Sequence, residues 1–474
     1  MTANFECVRP GAAEQPQSIA VGYMRRRSNW WPAVVGLKPG LPLLMRFLRK
    51  IIRRGTLRVI APDGRSYSAG CNDPRVTIRI VDPTIIPRLV LRPYLAFGEA
   101  YTAGAIEIVH GDIYQFLDLC LGSLPESQKN SMLRDAFAWA RRVFRRIAQH
   151  NPIRAARANA AHHYDLSDTL YEQFLDADRQ YSCAYFLSPN DTLESAQENK
   201  KRHIAAKLLL RPGQNVLDIG SGWGGLAIYL ARVAGVDATG LTLSEAQHAY
   251  SQRRAGEYDI RGHVRFFLKD YRQENNKYDR VVSVGMFEHV GVGDYRAYFR
   301  KIHMLLKDEG VALVHTIGRP NGSGGTNPWI KKYIFPGGYV PALSEILPAI
   351  EEAGLYVTDI EVLRLHYAET LKAWRQRFMA NRELAGRLHG EQFYRMWEFY
   401  LAGCEAAFRQ GRLVNFQIQL SPSLAAVPLN RDYIREWEQS RIEDVPLRAM
   451  PGRCAFDRKR GSPGKCSQAH KKSA

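Results

Sequence analysis

The chain contains 474 residues, which is too many for one average domain and predicts two or three. Apolar residues account for 45% of the chain, which excludes a largely disordered protein because this composition can bury a sizeable core. The formal net charge of +19 favours an anionic partner, namely nucleic acid, an anionic membrane or an acidic protein, unless it reflects only a general preference for arginine.

The N-terminal part combines an irregular start with a small mixed unit. Residues 1–40 are rich in Pro, Gly, Ala and Arg without a sustained period, which predicts disorder. Residues 41–130 predict an α+β domain without an evident catalytic cluster. Its expected elements are a basic helix over Leu43–Arg54, strands over Thr56–Ile60 and Val76–Val81, and a helix near Ile113–Leu121.

An amphipathic helix over Met132–His150 dominates residues 131–157, which we interpret as a linker. One side of this helix carries the apolar residues Phe137, Trp139, Ala140, Val143, Phe144 and Ile147. The other side carries Arg141, Arg142, Arg145 and Arg146. Such a helix can lie in a lipid interface or pack its apolar face on a neighbouring domain, and the pattern leaves both open.

Helical and strand patterns alternate over residues 158–425, which indicates a parallel sheet with helices on its faces. The candidate strands are Asn215–Ile219, Asp237–Thr242, Val264–Leu268, Asp279–Val284 and Val311–Thr316. Further helices are predicted over Thr370–Ala380 and Gln392–Arg409. Residues 426–474 are predicted to form a basic tail that is partly disordered.

The cysteines and the first residues bear on the compartment. Seven cysteines are scattered without a C-x-x-C pair, which fits neither a disulfide framework nor a zinc site. The start of the chain lacks the pattern of a signal peptide, and no uncharged apolar run reaches the roughly 18 residues of a membrane span. We therefore expect free thiols in a cytoplasmic protein.

A glycine-rich segment, LDIGSGWGG at 217–225, follows a predicted strand and opens a predicted helix. Its glycines let the backbone turn sharply and approach a ligand closely, either a dinucleotide or S-adenosylmethionine. Asp218 favours S-adenosylmethionine, because a carboxylate there can accept hydrogen bonds from the ammonium group of a methionine moiety. A glycine-rich turn without a ligand is disfavoured by the strand–turn–helix context.

The next two strand ends also favour S-adenosylmethionine. A dinucleotide fold would place an acidic residue at the end of the second strand, whereas this chain has Thr242, Ser244 and Gln247 there. Past the third strand, Asp270 and Tyr271 are placed where an acid and an aromatic ring can flank an adenine.

Seven segments together resemble the cyclopropane fatty acid synthases and the related mycolic acid cyclopropane synthases and methyltransferases. In chain order they are YSCAYF at 181–186, LDIGSGWGG at 217–225, GLTLSEAQ at 240–247, VGMFEHVG at 284–291, LVHTIG at 313–318, YIFPGGYVP at 333–341 and HYAETLKAW at 366–374. The similarity spans about Ala158 to Val414. The N-terminal unit resembles, more loosely, the extra domain of the bacterial enzymes that act on phospholipids.

The resemblance implies an α/β fold: a seven-stranded, doubly wound class I S-adenosylmethionine methyltransferase sheet with added helices over a lipid tunnel. A smaller N-terminal α+β domain would associate with lipid. The implied cofactor site comprises Tyr181, Ser182, Asp218, Gly220, Gly222, Trp223, Thr242, Ser244, Gln247, Asp270 and Tyr271. His163, Tyr164 and Asp165 match a segment that closes over the cofactor, although Asp165 or Ser167 can equally cap a helix start.

The resemblance also implies a reaction, in which the cis double bond of an acyl chain attacks the sulfonium methyl group. A base then removes a proton from the new methyl group and the ring closes; in this family the base is a bound bicarbonate. By motif match, the bicarbonate site comprises Cys183, Glu288, His315, Ile317 and Tyr367, with Cys183 and Ile317 acting through their backbones. We expect Glu288 to orient the bicarbonate hydrogen and also His315.

Further expectations concern the residues around this site. Cys183 is expected to shape the cavity rather than act as a nucleophile, because no histidine pairing is evident. Glu288 and His289 are adjacent and lack a third ligand, so we expect no metal. Aromatic faces can stabilise a developing cation. The candidates, most of them expected to be tunnel wall or core, are Tyr185, Phe186, Phe287, Tyr333, Phe335, Tyr339, Tyr367 and Trp374.

The predicted function is S-adenosylmethionine-dependent cyclopropanation of cis double bonds in the acyl chains of membrane phospholipids. The surplus of lysine and arginine suits an anionic membrane surface. We expect peripheral association with the inner face of the cell membrane and no binding of nucleic acid, and a homodimer is left open. The alternatives are a fatty acyl C-methyltransferase that makes methyl-branched chains, a non-lipid methyltransferase, and a lipid-binding protein that has lost its activity.

Overall fold

The computed structural model describes residues 40–123, 168–258 and 262–441. Several predictions lie outside the described residues: the N-terminus, the linker helix Met132–His150, the segment with His163, Tyr164, Asp165 and Ser167, and the end of the basic tail. Within the described ranges, no helix combines the length and the apolar character that crossing a bilayer requires.

The N-terminal unit consists of a small sheet and four helices among the described residues. In chain order its elements are α1 (Gly40–Ile51), β1 (Thr56–Ile60), β2 (Ser66–Gly70), β3 (Arg75–Ile80), α2 (Ile86–Leu91), α3 (Pro93–Thr102), β4 (Ile106–His110) and α4 (Ile113–Ser123). The sheet order is β2–β1–β3–β4, and β1 pairs parallel with β3. The predicted helices and strands are confirmed, although α1 starts before Leu43 and ends before Arg54. The sequence pattern does not predict β2 and β4; β2 is a short, mostly exposed edge strand without apolar alternation.

The larger unit contains a seven-stranded sheet. Its strands are β5 (Asn215–Ile219), β6 (Asp237–Thr242), β7 (Val264–Leu268), β8 (Tyr278–Val284), β9 (Leu306–Gly318), β10 (Tyr356–Val362) and β11 (Val414–Ser421). The order is β10–β11–β9–β8–β5–β6–β7. β5 to β9 pair in parallel, whereas β11 is antiparallel to both of its neighbours. The five predicted strands and the predicted fold class are confirmed, and the antiparallel pair β10 and β11 is added at the edge.

Helices cover this sheet and extend beyond it. They are α5 (Asp168–Glu172), α6 (Leu193–Lys207), α7 (Gly225–Ala234), α8 (Glu245–Glu257), α9 (Tyr295–Leu305), α10 (Pro328–Tyr333), α11 (Leu343–Glu351), α12 (His366–Ala380), α13 (Arg382–His389), α14 (Glu391–Arg409) and α15 (Asp432–Ser440). Their starts are encoded locally, for example at α6, where the Thr192 side chain accepts from the Ser195 N–H. α15 lies in the predicted tail but packs on α6, which extends the folded part to Arg441.

The two units share one hydrophobic core. α4 and α3 of the N-terminal unit pack against α14, and α3 also packs against α10. At this contact Glu99 of α3 accepts from Lys332 at 2.7 Å and from the Tyr333 hydroxyl at 2.9 Å. The N-terminal unit therefore supports α10 directly.

The order of the sheet fixes the place of a crevice. The chain first builds outward from β5 through β6 to β7, and then continues on the other side of β5 with β8 and β9. Open α/β sheets bind ligands outside the carboxyl ends of the strands at such a switch point. The predicted site residues from Asp218 to Ile317 lie at or just after the ends of β5, β6, β7, β8 and β9, so the topology brings them to one edge. Tyr181, Ser182, Cys183 and Tyr367 come from segments outside this sheet.

Candidate active site

A cavity of about 230 Å³ lies at the carboxyl ends of β5, β6 and β8. All the predicted cofactor-binding residues line it: Tyr181, Ser182, Asp218, Gly220, Gly222, Trp223, Thr242, Ser244, Gln247, Asp270 and Tyr271. Arg179, Lys269 and His289 also line this cavity and are not among the predicted ligands. The structure therefore brings the predicted set together, while the role of each residue stays a prediction.

The glycine-rich turn forms the floor of this cavity. The backbone φ of Gly220 is +83°, a conformation that favours glycine, and a Cβ there would lie 3.0 Å from the Met286 side chain. The N–H groups of Gly220 and Ser221 both donate to the Leu241 carbonyl at 2.9 Å. This pairing fixes the turn between β5 and α7 against the end of β6.

Asp218, at the end of β5, is the buried acid of this cavity. Its Oδ2 has no hydrogen-bond partner among the described residues, and the residue is buried. Burial raises the pKa of Asp218 to about 7, against the opposing effect of the Lys200 charge. An unpartnered buried carboxylate oxygen suits a ligand that brings an ammonium group, as S-adenosylmethionine does.

The other predicted ligands are held by local hydrogen bonds. The Thr242 hydroxyl donates to Gln247 Oε1 at 2.9 Å, and Ser244 caps α8 by accepting from the Gln247 N–H at 3.2 Å. Asp270 accepts from the Arg272 side chain at 2.7 and 2.8 Å. The Asp270 carboxylate thus caps the short helical turn that follows it and forms an ion pair with Arg272. The sequence does not predict these two contacts.

A second, smaller cavity of about 90 Å³ adjoins the first. The two cavities share Tyr181, Ser182, Gly285 and His289 in their walls. The predicted catalytic residues Cys183, Glu288, His315, Ile317 and Tyr367 all line the smaller one. Of the aromatic candidates, Phe335, Tyr339 and Tyr367 line it, whereas Phe287 packs in the core and Tyr185 stacks between His203 and His366.

Glu288 lies in the turn after β8 and faces the end of the neighbouring strand β9. Its Oε1 accepts from the Ile317 N–H at 2.6 Å, while its Oε2 has no partner among the described residues. Burial raises the pKa of Glu288 to about 7, against the opposing effect of the Ile317 N–H. The Ile317 N–H is therefore bonded to the Glu288 carboxylate, and the contribution of the Ile317 backbone to a bicarbonate site stays a prediction.

His315 is held by β11 and not by Glu288. Its Nε2 contacts the Asn415 side-chain amide, and its Nδ1 lies 3.2 Å from the Gln417 amide nitrogen. The described residues contain no His315–Glu288 hydrogen bond, so the expected pairing is wrong. Burial holds the pKa of His315 well below its usual range. Because a neutral imidazole accepts at one nitrogen only, one of the two amides must present its oxygen to the ring in that protonation state.

The sequence does not predict Asn415 and Gln417 as site residues. Both are buried on β11, where Asn415, Gln417 and Gln419 alternate with apolar residues. Polar alternation in a strand usually marks a solvated face. Here helices cover that face too, so the three side chains are buried.

Cys183 is buried and lines the smaller cavity. Burial raises the pKa of its thiol, which fits the expected role in shaping the cavity. The neighbouring N–H groups are bonded, Ala184 to the Thr370 hydroxyl at 3.0 Å and Tyr185 to the Ala196 carbonyl at 2.9 Å. The Cys183 N–H has no partner within the described residues and remains available to a bound anion.

Comparison with known proteins gives consistent relatives. Residues 151–418 match the family model described as mycolic acid cyclopropane synthetase. The chain is 38% identical to the Escherichia coli cyclopropane-fatty-acyl-phospholipid synthase, covering 73% of this chain and 87% of that protein. It is 37% identical to a Pseudomonas putida protein named "Probable fatty acid methyltransferase", covering 76% of this chain and 91% of the relative. The solved structure of mycolic acid cyclopropane synthase CmaA1, complexed with SAH and CTAB, is 35% identical with a TM-score of 0.53, covering 56% of this chain and 97% of the other.

Proposed function

The chain belongs to the mycolic acid cyclopropane synthetase family of S-adenosylmethionine-dependent enzymes that modify lipids, and we propose that it cyclopropanates cis double bonds in phospholipid acyl chains. One observation carries the proposal. The cavity lined by Asp218, whose Oδ2 has no partner among the described residues, opens beside the cavity lined by Glu288, whose Oε2 likewise has none, and Ser182 and Gly285 border both. A methyl donor in the first would face an alkene in the second.

The smaller cavity suits an alkene, which is a poor nucleophile and offers few handles for binding. Its walls include Phe335, Tyr339, Tyr367 and Tyr400, and Tyr339 and Tyr400 are almost fully buried. Burial excludes water that would otherwise react with a carbocation. The aromatic faces can stabilise positive charge on the acyl chain. Proximity and orientation in a dry site are the main contributions that such a wall can make.

The smaller cavity also offers what a bicarbonate ion requires. Glu288 Oε2 has no partner among the described residues, the Cys183 N–H has none there either, and both residues line this cavity. Bicarbonate carries acceptor oxygens and one O–H donor, so it can satisfy both groups. Asn415 Oδ1 is a further buried atom without a partner among the described residues.

The reaction balances with these groups. Bound in the larger cavity, S-adenosylmethionine would supply the methyl group and bicarbonate in the smaller one would supply the base. The alkene π electrons form the new carbon–carbon bond as the carbon–sulfur bond breaks. Loss of one proton from the added methyl group lets its electron pair close the ring, so the lipid gains CH2. Glu288 and the Cys183 N–H hold the proton acceptor beside that methyl group.

The substrate that we propose is a phospholipid in an anionic membrane. α1 exposes Leu43 (52%) and Phe47 (38%) on the surface of the N-terminal unit, and its polar side carries Arg46 and Arg49. Apolar side chains next to basic ones suit the interface of an anionic bilayer. The Arg and Lys residues near the surface would each attract anionic headgroups, so peripheral association needs no membrane-spanning element.

Incubation with unsaturated phospholipid vesicles and methyl-labelled S-adenosylmethionine tests the function. Mass analysis of the released fatty acids should show label in chains that have gained CH2. Saturated vesicles are the control and should remain unlabelled. Label that appears only in small molecules or nucleic acid, and never in the acyl chains, would contradict the proposal.

A second candidate is transfer of the methyl group to give a methyl-branched chain. The relative named as a fatty acid methyltransferase, at 37% identity, is the observation in its favour. The Glu288, His315 and Tyr367 set, which lines one cavity, favours ring closure. The same mass analysis separates the two, because a saturated methyl branch adds CH4 and requires a reductant.

A further inference from the structure

Lys200 is a cation without exposure to solvent, and it contacts Ser182, which lines both cavities. Among the described residues it forms no ion pair, whereas the next residue, Lys201, pairs with Asp178 and Glu198 at 2.8 Å each. The Lys200 ammonium instead donates to two neutral oxygens, Gln180 Oε1 at 2.6 Å and Ser182 Oγ at 2.8 Å. The carboxylates of Asp176 and Asp178 attract this ammonium without a direct hydrogen bond to it, so a closer anion would still be attracted.

The contact to Ser182 directs this charge toward the junction of the cavities. Gln197, one turn before Lys200 on α6, donates to the Gln180 and Ser182 carbonyls at 3.2 and 3.0 Å and so fixes the segment. Ser182 borders both cavities. Because its oxygen accepts from Lys200, and no acceptor for its own hydrogen is found among the described residues, the hydroxyl can donate into the cavities. A hydroxyl polarised by an ammonium is a stronger donor.

The charge of Lys200 acts on groups of both cavities. In the larger cavity, burial raises the pKa of Asp218, and Lys200 opposes this effect. In the smaller cavity, burial raises the pKa of Cys183 and lowers that of His315, and in both cases the Lys200 charge lowers the pKa. Burial lowers the pKa of Lys200 itself to about 8, against the attraction of Asp176 and Asp178. The cation thus lies within electrostatic reach of both cavities.

We propose that Lys200 is a positioning residue which, through the Ser182 hydroxyl, holds a planar oxyanion at the junction of the two cavities. The oxyanion is either the α-carboxylate of S-adenosylmethionine or the bicarbonate ion. Both present the same acceptor chemistry to a charged donor pair. The bicarbonate source rests on the proposed function, whereas the carboxylate source needs only the cofactor.

The test replaces Lys200 by Met, which keeps the length of the side chain and removes its charge. The matched control is Lys201→Met, which removes a neighbouring buried cation that already has carboxylate partners. Calorimetry measures the affinity of each protein for S-adenosylmethionine and for its decarboxylated analogue, which keeps the ammonium and lacks the carboxylate. Turnover in bicarbonate-depleted buffer with added bicarbonate gives the half-saturating concentration.

If the oxyanion is the cofactor carboxylate, Lys200→Met should lower the affinity for S-adenosylmethionine by about tenfold to a hundredfold and leave the affinity for the decarboxylated analogue unchanged. If the oxyanion is bicarbonate, the half-saturating concentration should rise by a similar factor. Lys201→Met should change neither ratio. Equal weakening of both cofactor forms, with an unchanged bicarbonate response, would overturn the proposal because it indicates a merely structural role.

Ser182→Ala provides the same readouts if Lys200→Met does not fold, and it leaves the buried cation in place. Ser182→Ala should show the same selective loss as Lys200→Met, either of affinity for S-adenosylmethionine or of the response to bicarbonate. A Ser182→Ala protein with neither loss would overturn the proposal. Wild-type turnover that does not respond to bicarbonate would contradict the proposed base alone. The comparison of the two cofactor forms would still decide the role of Lys200.

Discussion

Replacing Glu288 by Gln separates the two contacts of its carboxyl group. Oε1 accepts from the Ile317 N–H at 2.6 Å, and a glutamine carbonyl can keep this bond. Oε2 borders the smaller cavity without a partner among the described residues, and the variant replaces this acceptor by an NH2 donor. We expect turnover to fall about a hundredfold to a thousandfold, because the acceptor that orients the bicarbonate O–H is replaced by a donor and the base is no longer positioned. The affinity for S-adenosylhomocysteine should not change.

The same substitution has a calculable effect on stability. Burial raises the pKa of Glu288 from 4.5 to about 7, so between these values the folded protein binds the proton more tightly than the unfolded chain. The contribution of this group to stability is therefore full below pH 4.5 and is lost as the pH rises through about 7. At about 1.4 kcal/mol per pKa unit, the loss is about 3 kcal/mol. Glutamine carries no charge and escapes this loss.

Denaturant unfolding as a function of pH measures this effect, together with turnover on vesicles. The free energy of unfolding of Glu288→Gln minus that of the wild type should increase between pH 4.5 and 7 and then stay constant above pH 7. Glu309→Gln, at an exposed position of β9, is the control and should follow the wild type. Full turnover by Glu288→Gln, or a stability difference that does not vary with pH, would refute the reasoning.

Three further predictions concern the cofactor, the histidine and the membrane. Asp218→Asn should lower the affinity for S-adenosylhomocysteine about tenfold to a hundredfold, as measured by calorimetry. The affinity for 5′-methylthioadenosine, which lacks the ammonium group, should not change. Equal losses of affinity for both compounds would count against the assignment of Asp218 to the ammonium group. His315→Ala should lower product formation about a hundredfold while keeping cofactor affinity, and unchanged turnover would exclude a catalytic role. Phe47→Ser should reduce sedimentation with anionic vesicles, whereas Leu429→Ser, at another exposed apolar position, should not; equal effects would reject α1 as the docking helix.

Much of the cofactor cavity follows from short stretches of sequence. The Gly220 turn and the Ser244 cap are encoded within a few residues, because each needs only a particular backbone conformation or one local hydrogen bond. Parallel strands place their carboxyl ends together, so the proximity of residues after β5, β6 and β7 can be predicted without knowledge of long-range side-chain contacts. The sequence therefore predicts the lining of this cavity correctly. It does not predict that Asp270 is bonded to Arg272, because that requires side-chain positions.

The sequence by itself determined the family, the parallel core of the sheet and the predicted residues that line the two cavities, because these depend on local patterns, strand order and the family motifs. It did not identify Arg179, Lys269 or Asn415, which also line them. Only the tertiary structure decided that His315 contacts Asn415 and Gln417 rather than Glu288. These partners lie on β11, about a hundred residues further along the chain, and no sequence motif fixes the register of this antiparallel strand against β9. The burial of Lys200 behind Ser182 is likewise a matter of packing, because a lysine in a polar helix is expected on the surface.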